Sequence, residues 1–426
     1  MLDRRQFVQS LGASALAMRF ARSEDNQAET AQHGRRKRLA VVATKWSYLS
    51  HAQHITDRFL LGYPHEGRWH HPALDVVSVY VDQQPANDQS ALRAEQFDFR
   101  VCATIAETLR CGGPKLAVDA VLIIAEHGNY PKNEKGQILY PRFEFFQQVV
   151  DVFESDGRSV PVFNDKHLSY SMTKARQMVA ASKRLNFPLL AGSSLPVTWR
   201  LPELELPLEC DIDDALMVGV GSSDSSDYHA LEALQCMVER RRAGETGVKA
   251  VQLIEGDAVW QAGKQGLWSL KLLEAALSRS DLILGQTLVN ARPQDLVGSG
   301  ELPKIVANPA AYLIDRSDGL RTTLLMLNGA VGDYTFAARL RGKSQIFSTQ
   351  FYLPPKPNVA YSACLVSKIE QMIETGAAPY PVERTLIVSG TLESCLDSKI
   401  NDHRLLDTPH LNVRYKAPVE SHYCRT

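Results

Sequence analysis

Four apolar runs rich in valine and isoleucine punctuate the first half of the chain: Arg38–Ala43, Asp75–Val81, Val118–Ile124 and the shorter run opening Pro161-Val-Phe-Asn-Asp-Lys-His-Leu168. Helix-like segments separate them, among them Thr173–Arg184, and a fifth run follows at Pro188–Ala191. Apolar strands that alternate with helices read as βαβ units around a buried parallel sheet. Beyond Ala191–Arg200 the pattern changes. Ala310–Asp315 and Leu320–Leu327 flank an Asp318-Gly319 turn, a hairpin signal, and Tyr334–Leu340 and Gln345–Leu353 continue as strands. Helical patterns cover His229–Arg241, Leu267–Ser278 and Ala360–Glu374. The expected architecture is therefore α/β: a doubly wound parallel sheet over 38–192, then an α+β domain with a mostly antiparallel open sheet over 193–426.

The 426 residues and 44% hydrophobic content suffice for two cores, and the formal charge of -1 gives no case for a nucleic-acid partner. Arg35–Arg38, a basic run, reads as a solvated entry to the first strand. Residues 1–37 read as a signal and linker. Asp3-Arg-Arg-Gln-Phe, followed by the short apolar stretch Leu11–Met18, resembles a twin-arginine export signal and is too short to span a bilayer. Export of a folded chain is the expectation, with a cytoplasmic protein as the alternative. The seven cysteines show no Cys-x-x-Cys spacing, which argues against a zinc ribbon, and Cys236 and Cys364 read as small core residues.

Several side chains could carry chemistry. Lys166 lies just past a strand, where an open α/β sheet presents its functional groups, and a buried lysine can serve proton transfer. His229 opens a helical pattern behind Ser225, Asp224 and Asp227, which read equally as helix caps. His51, His54, His65, His70 and His71 crowd into one short stretch, and Glu126-His127 follows the strand Val118–Ile124. His51, His54, Glu126 and His127 can meet across the switch point as a divalent-metal site. After the first strand the chain reads Ala43-Thr-Lys-Trp-Ser-Tyr-Leu-Ser-His51, with no glycine before Gly62. A glycine-rich phosphate loop is thus missing, and Thr44, Lys45 and Ser47 are the residues left to hold a phosphate. Trp46, Tyr48, Tyr63, Trp69, Tyr130, Tyr140 and Trp199 fall in or beside predicted loops, where stacking on a ring and packing between domains are both open readings.

The order of these pieces over 38–415 resembles the Gfo/Idh/MocA family of nicotinamide-dependent sugar oxidoreductases. Lys166 matches the lysine of that family's Glu-Lys-Pro motif, Asp82 stands where its second strand ends in a ribose-binding acid, and Glu383–Ser394 looks like its last helix. His229-Ala-Leu-Glu-Ala-Leu fits the tail of the family's Asp-x-Gly-x-His motif, with Ser225 at the aspartate position and Asp224 or Asp227 as substitutes. The resemblance implies a Rossmann-like domain, NAD or NADP as cofactor, and a carbohydrate or polyol substrate. It further implies Lys166, His229 and Asp227 as catalytic residues, and Thr44, Lys45, Ser47, Asp82, Glu126 and His127 along the cofactor, with acid at Asp82 favouring NAD. Homo-oligomers are common in the family. Two other readings stand beside it: a metal-dependent sugar lyase, hydratase or isomerase using the histidine cluster, and a non-catalytic sugar-binding relative that has lost the glycine loop.

Overall fold

The computed structural model describes residues 35–221, 224–282, 288–289, 292–293 and 296–425; the twin-arginine segment lies outside them. Strands β1 (Lys37–Ala43), β2 (Leu74–Val81), β3 (Arg100–Cys102), β4 (Ala120–Ile124), β5 (Val162–Asp165) and β6 (Leu189–Gly192) form one parallel sheet in the order β3-β2-β1-β4-β5-β6. The pattern missed β3, which at three residues is too short to show a period. The chain builds outward from β1 in one direction and from β4 in the other, so a crevice opens at their carboxyl ends.

The period of two along β1 explains why this sheet is buried on both faces. Ala40 and Val42 enter one apolar cluster, while Leu39, Val41 and Ala43 enter another. Six helices shape the crevice: α1 (His51–Leu61), α2 (Arg142–Asp156), α3 (Met172–Arg184), α4 (Ser225–Val238), α5 (Tyr361–Thr375) and α6 (Glu383–Ile400). α5 belongs by sequence to the second half, yet its Cys364, Leu365, Ile369, Met372 and Ile373 complete the cluster behind β1. The two halves are therefore interlocked, and the chain returns to the first sheet long after residue 193.

The second sheet joins β7 (Trp199–Leu201), β8 (Ile212–Gly219), β9 (Val248–Glu255), β10 (Ala310–Arg316), β11 (Arg321–Met326), β12 (Tyr334–Leu340), β13 (Ile346–Tyr352) and β14 (Leu406–Asp407). Their order is β14-β9-β10-β11-β8-β12-β13-β7, antiparallel except where β8 runs parallel to β11. The predicted turn closes the β10–β11 hairpin, with Gly319 at φ 91°. α4 and α6 pack together beside this sheet. The fully buried Arg384 of α6 grips the Glu239 carboxylate just past α4 with its Nε at 2.9 Å, which ties the carboxyl end of α4 to α6. Among the described residues no helix is long and apolar enough to cross a membrane.

Candidate active site

The crevice is organised by the turn that ends β5. Lys166 takes φ 63°, a left-handed conformation uncommon for a side-chain-bearing residue, and its amide donates to Gly192 O at 3.0 Å. His127, past β4, and Asp224, at the head of α4, also have positive φ, 71° in each case. Such conformations persist only where surrounding contacts over-determine them, and here they gather at one place. Gly192 has φ 126°, and a Cβ there would stand 2.2 Å from a Glu232 carboxylate oxygen. That buried carboxylate accepts from the Ser193 amide at 2.8 Å and the Ser193 hydroxyl at 2.6 Å, holding Ser193 on the crevice wall.

Lys166 is buried and donates to Ser225 Oγ in the first turn of α4. Its ammonium also lies 3.3 Å from Glu126 Oε1, to which Ser225 Oγ donates at 3.3 Å. Arg142, the first residue of α2, pairs with the other Glu126 oxygen and donates to His167 Nε2 at 3.1 Å. Burial alone would raise the Glu126 carboxyl, but the Lys166 and Arg142 cations overcome it and hold the group well below the usual range. Ser225 and His229 are four residues apart, so they share a face of α4, and Lys166 and His229 come together through that face. Burial, then the nearby Lys166 charge, drives the His229 pKa well below its ordinary value, so the imidazole is neutral. Among the described residues its Nδ1 has no hydrogen-bond partner. A cavity of about 190 Å³ opens beside it, walled by His51, His54, Asp165, Ser193, Tyr334 and Tyr361 among others.

The histidine cluster assembles in part. The His51 ring centroid lies 5.9 Å from His54 and 5.1 Å from His127. His51 Nδ1 is bonded to Asp165 Oδ2 at 2.7 Å. Asp165 therefore serves His51 instead of its sequence neighbour Lys166. The metal expectation is not supported. Glu126 is turned to Lys166 and Arg142, and no group of three His, Cys, Asp or Glu side chains among the described residues is placed to hold an ion. His65 and His70 lie apart, on a short hairpin where His70 Nε2 meets Glu370 at 2.9 Å.

Beside β1 and β2 the residues expected to line a cofactor divide. Thr44 is fully buried and donates to Glu126 O at 2.8 Å, so it faces inward and is corrected from phosphate holder to strut. Ser47 is buried too, its amide donating to Ser50 Oγ at 3.0 Å. Ser50 caps α1 and Gln53 Oε1 accepts from the Leu49 amide at 2.9 Å, so side chains of the loop already satisfy amides that a pyrophosphate would otherwise take. Lys45 is part-exposed. Trp46 and Tyr63 are core residues, the former stacked on Phe99, which settles them as packing. Asp82 stands exposed at the tip of β2 and accepts from Tyr80 at 2.8 Å and Tyr130 at 2.6 Å. Gln83 exchanges two hydrogen bonds with the Asn129 backbone, of 2.8 and 3.1 Å, strapping the loop after β4 to the tip of β2.

Asp227 is not brought to the cavity. It is buried against the second sheet and accepts from the Tyr312 hydroxyl of β10, because a two-residue step from His229 turns it about 200° around the helix. Burial pushes its carboxyl up to about 6. An acid with a raised folded pKa favours the native state while protonated. That contribution is full below the unfolded value of about 3.9 and is lost as pH rises through about 6. Asp227→Asn removes this dependence, so urea midpoints of wild type should fall relative to the variant between about pH 4 and about pH 6. Parallel profiles would refute the assignment. Sequence reasoning also passed over Arg142, which shows no local signal beyond opening a helix, and gave Ser225 no role of its own.

No family model matches the chain, and no curated protein matches it in sequence. Solved structures do match in fold. GenD2 from gentamicin A biosynthesis, solved with NAD, has a TM-score of 0.52 at 14% identity, over 88% of this chain and 97% of its own. Myo-inositol dehydrogenase from Lactobacillus casei, solved with NAD(H) and myo-inositol, gives 0.52 at 10%, over 87% and 96%. Myo-inositol 2-dehydrogenase from Lactobacillus plantarum gives 0.52 at 9%, over 87% and 99%. The chain thus shares the overall fold of these solved dehydrogenases, the fold that the resemblance implied.

Proposed function

We propose that this protein is an NAD(P)-dependent oxidoreductase acting on a hydroxyl group of a sugar, cyclic polyol or related small carbohydrate. The observation that carries the reading is that His229 lines a small cavity at the carboxyl ends of the first sheet, within reach of the buried Lys166 charge that Ser225 holds against the first turn of α4. The fold neighbours solved with NAD and with myo-inositol support it.

The cavity of about 190 Å³ suits a single ring, being smaller than the roughly 300–1,000 Å³ of most ligand pockets. A nicotinamide nucleotide supplies the hydride acceptor or donor. The residues fit it at the ribose end, through Asp82, and depart from the usual pattern at the pyrophosphate, where Lys45 would replace lost backbone contacts. Neutral His229 can accept a hydrogen bond from the substrate's hydroxyl and orient it, and the Lys166 cation stabilises the oxygen as charge develops there. Lone polyol binding without turnover is the rival outcome.

Titration calorimetry with NAD and NADP tests the reading. Saturable binding of one is expected, weakened about 10-fold or more in Lys45→Ala and falling with salt, since a charge-assisted contact is worth about 1.5–3 kcal/mol. Absence of binding to either nucleotide would overturn the oxidoreductase. Unchanged affinity in the variant would remove Lys45 alone.

A further inference from the structure

His51, the first residue of α1, stands where dinucleotide enzymes place a phosphate-binding turn, and its contacts suit another purpose. Three imidazoles wall the cavity: His51, His54 and His229. Burial lowers the His54 pKa to about 3 and takes His229 well below its ordinary value, and the Lys166 charge adds to the second effect. Neighbouring His127, not itself on the wall, is brought to about 4, chiefly by burial and then by the charge of His51. A proton that reaches His229 therefore cannot rest there.

His51 differs in two respects. Among the described residues it is the one cavity-wall imidazole bonded to a carboxylate, Asp165 at 2.7 Å, and that carboxylate is itself buried. Its side chain is 24% exposed, so it has a route to water. Asp165 accepts from Nδ1–H, which fixes the tautomer and leaves the Nε2 lone pair free, the relation by which a carboxylate orients a base. The groups facing His51 from the packed elements are His54 on its own helix, His127 and Glu126 after β4, Asp165 and Lys166 after β5, and His229 on α4.

We propose that the His51–Asp165 pair is the station through which the substrate's hydroxyl proton leaves the cavity, with His51 the proton acceptor and Asp165 its positioning residue. On oxidation the carbinol C–H and O–H bonds break as the C=O bond forms: the hydride, with both electrons, would go to the nucleotide, while the proton passes by way of His229 or directly to His51 Nε2 and from there to solvent; reduction runs the same path backwards. No oxidant beyond the nucleotide is needed. This inference rests on the oxidoreductase reading above.

Two measurements test it in the full chain. Long-range ¹H–¹⁵N spectra of histidine-labelled protein should show neutral His51 as the Nδ1–H tautomer, lost in Asp165→Asn; an Nε2–H tautomer in wild type overturns the pair whatever the activity. With myo-inositol and related cyclic polyols as probes, His51→Gln should lower turnover about 10²-fold or more with little change in KM, since positioned proton transfer contributes about that much. Added imidazole should restore part of the rate in His51→Gly. Turnover in His51→Gln equal to wild type, with an unchanged solvent isotope effect, overturns this inference alone. Absence of turnover in wild type removes the reading on which it rests.

Discussion

Lys166→Met leaves a folded protein whose oxidation of polyol probes is about 10²-fold slower than wild type or worse. The reasoning is electrostatic. The Lys166 ammonium sits between Glu126 and Ser225, in the first turn of α4, and its charge reaches His229 one turn on. Methionine matches the lysine stem in volume but carries no charge, so stabilisation of a developing alkoxide is lost while packing survives. Glu126 keeps Arg142 in the variant, which is why the fold should hold. Two readouts decide the matter: initial rates of NADH formation, and circular dichroism with a thermal melt to confirm the fold. A variant as active as wild type would reduce Lys166 to an ion-pair partner of Glu126.

Arg142→Met should cost up to about 3–5 kcal/mol of stability, because it removes the closer of the two cations facing buried Glu126 and, with it, the donor to His167. Both Arg142 and Glu126 are almost wholly buried, and the guanidinium also holds His167 at 3.1 Å. Removing it leaves Glu126 with Lys166 as its one cation and His167 without its donor. The sign with pH follows from the depressed Glu126 pKa. A carboxylate held low in the native state stabilises above its unfolded pKa of about 4.3 and loses that contribution as pH falls. The deficit of the variant should thus be full at neutral pH and shrink below about pH 4. Urea denaturation followed by tryptophan fluorescence measures it. The triple variant Glu126→Gln/Arg142→Met/Lys166→Met should recover much of the loss, because none of the three buried charges is then left unpaired. A single variant within about 1 kcal/mol of wild type would show that water reaches Glu126 and that the pair is not the keystone of the crevice.

The period of apolar residues determined a good deal by itself. Valine- and isoleucine-rich runs, separated by helical patterns, specify a parallel sheet because each strand must be apolar on both faces, and the Asp318-Gly319 turn specifies its hairpin. The position of Lys166 at a strand's carboxyl end was legible for the same reason, since it follows directly from where β5 stops. Partnerships were not legible. Asp165 is bonded to His51 across 114 positions, and Ser225 meets Lys166 across 59, distances over which no periodicity carries information. Thr44 faces inward and Asp227 faces β10 because backbone direction at a loop or a helix start sets where a side chain points. Residue type alone left both open. Helix α5 returned to cover β1 because the first sheet had an apolar face still bare, and only the assembled tertiary structure decides which segment fills it.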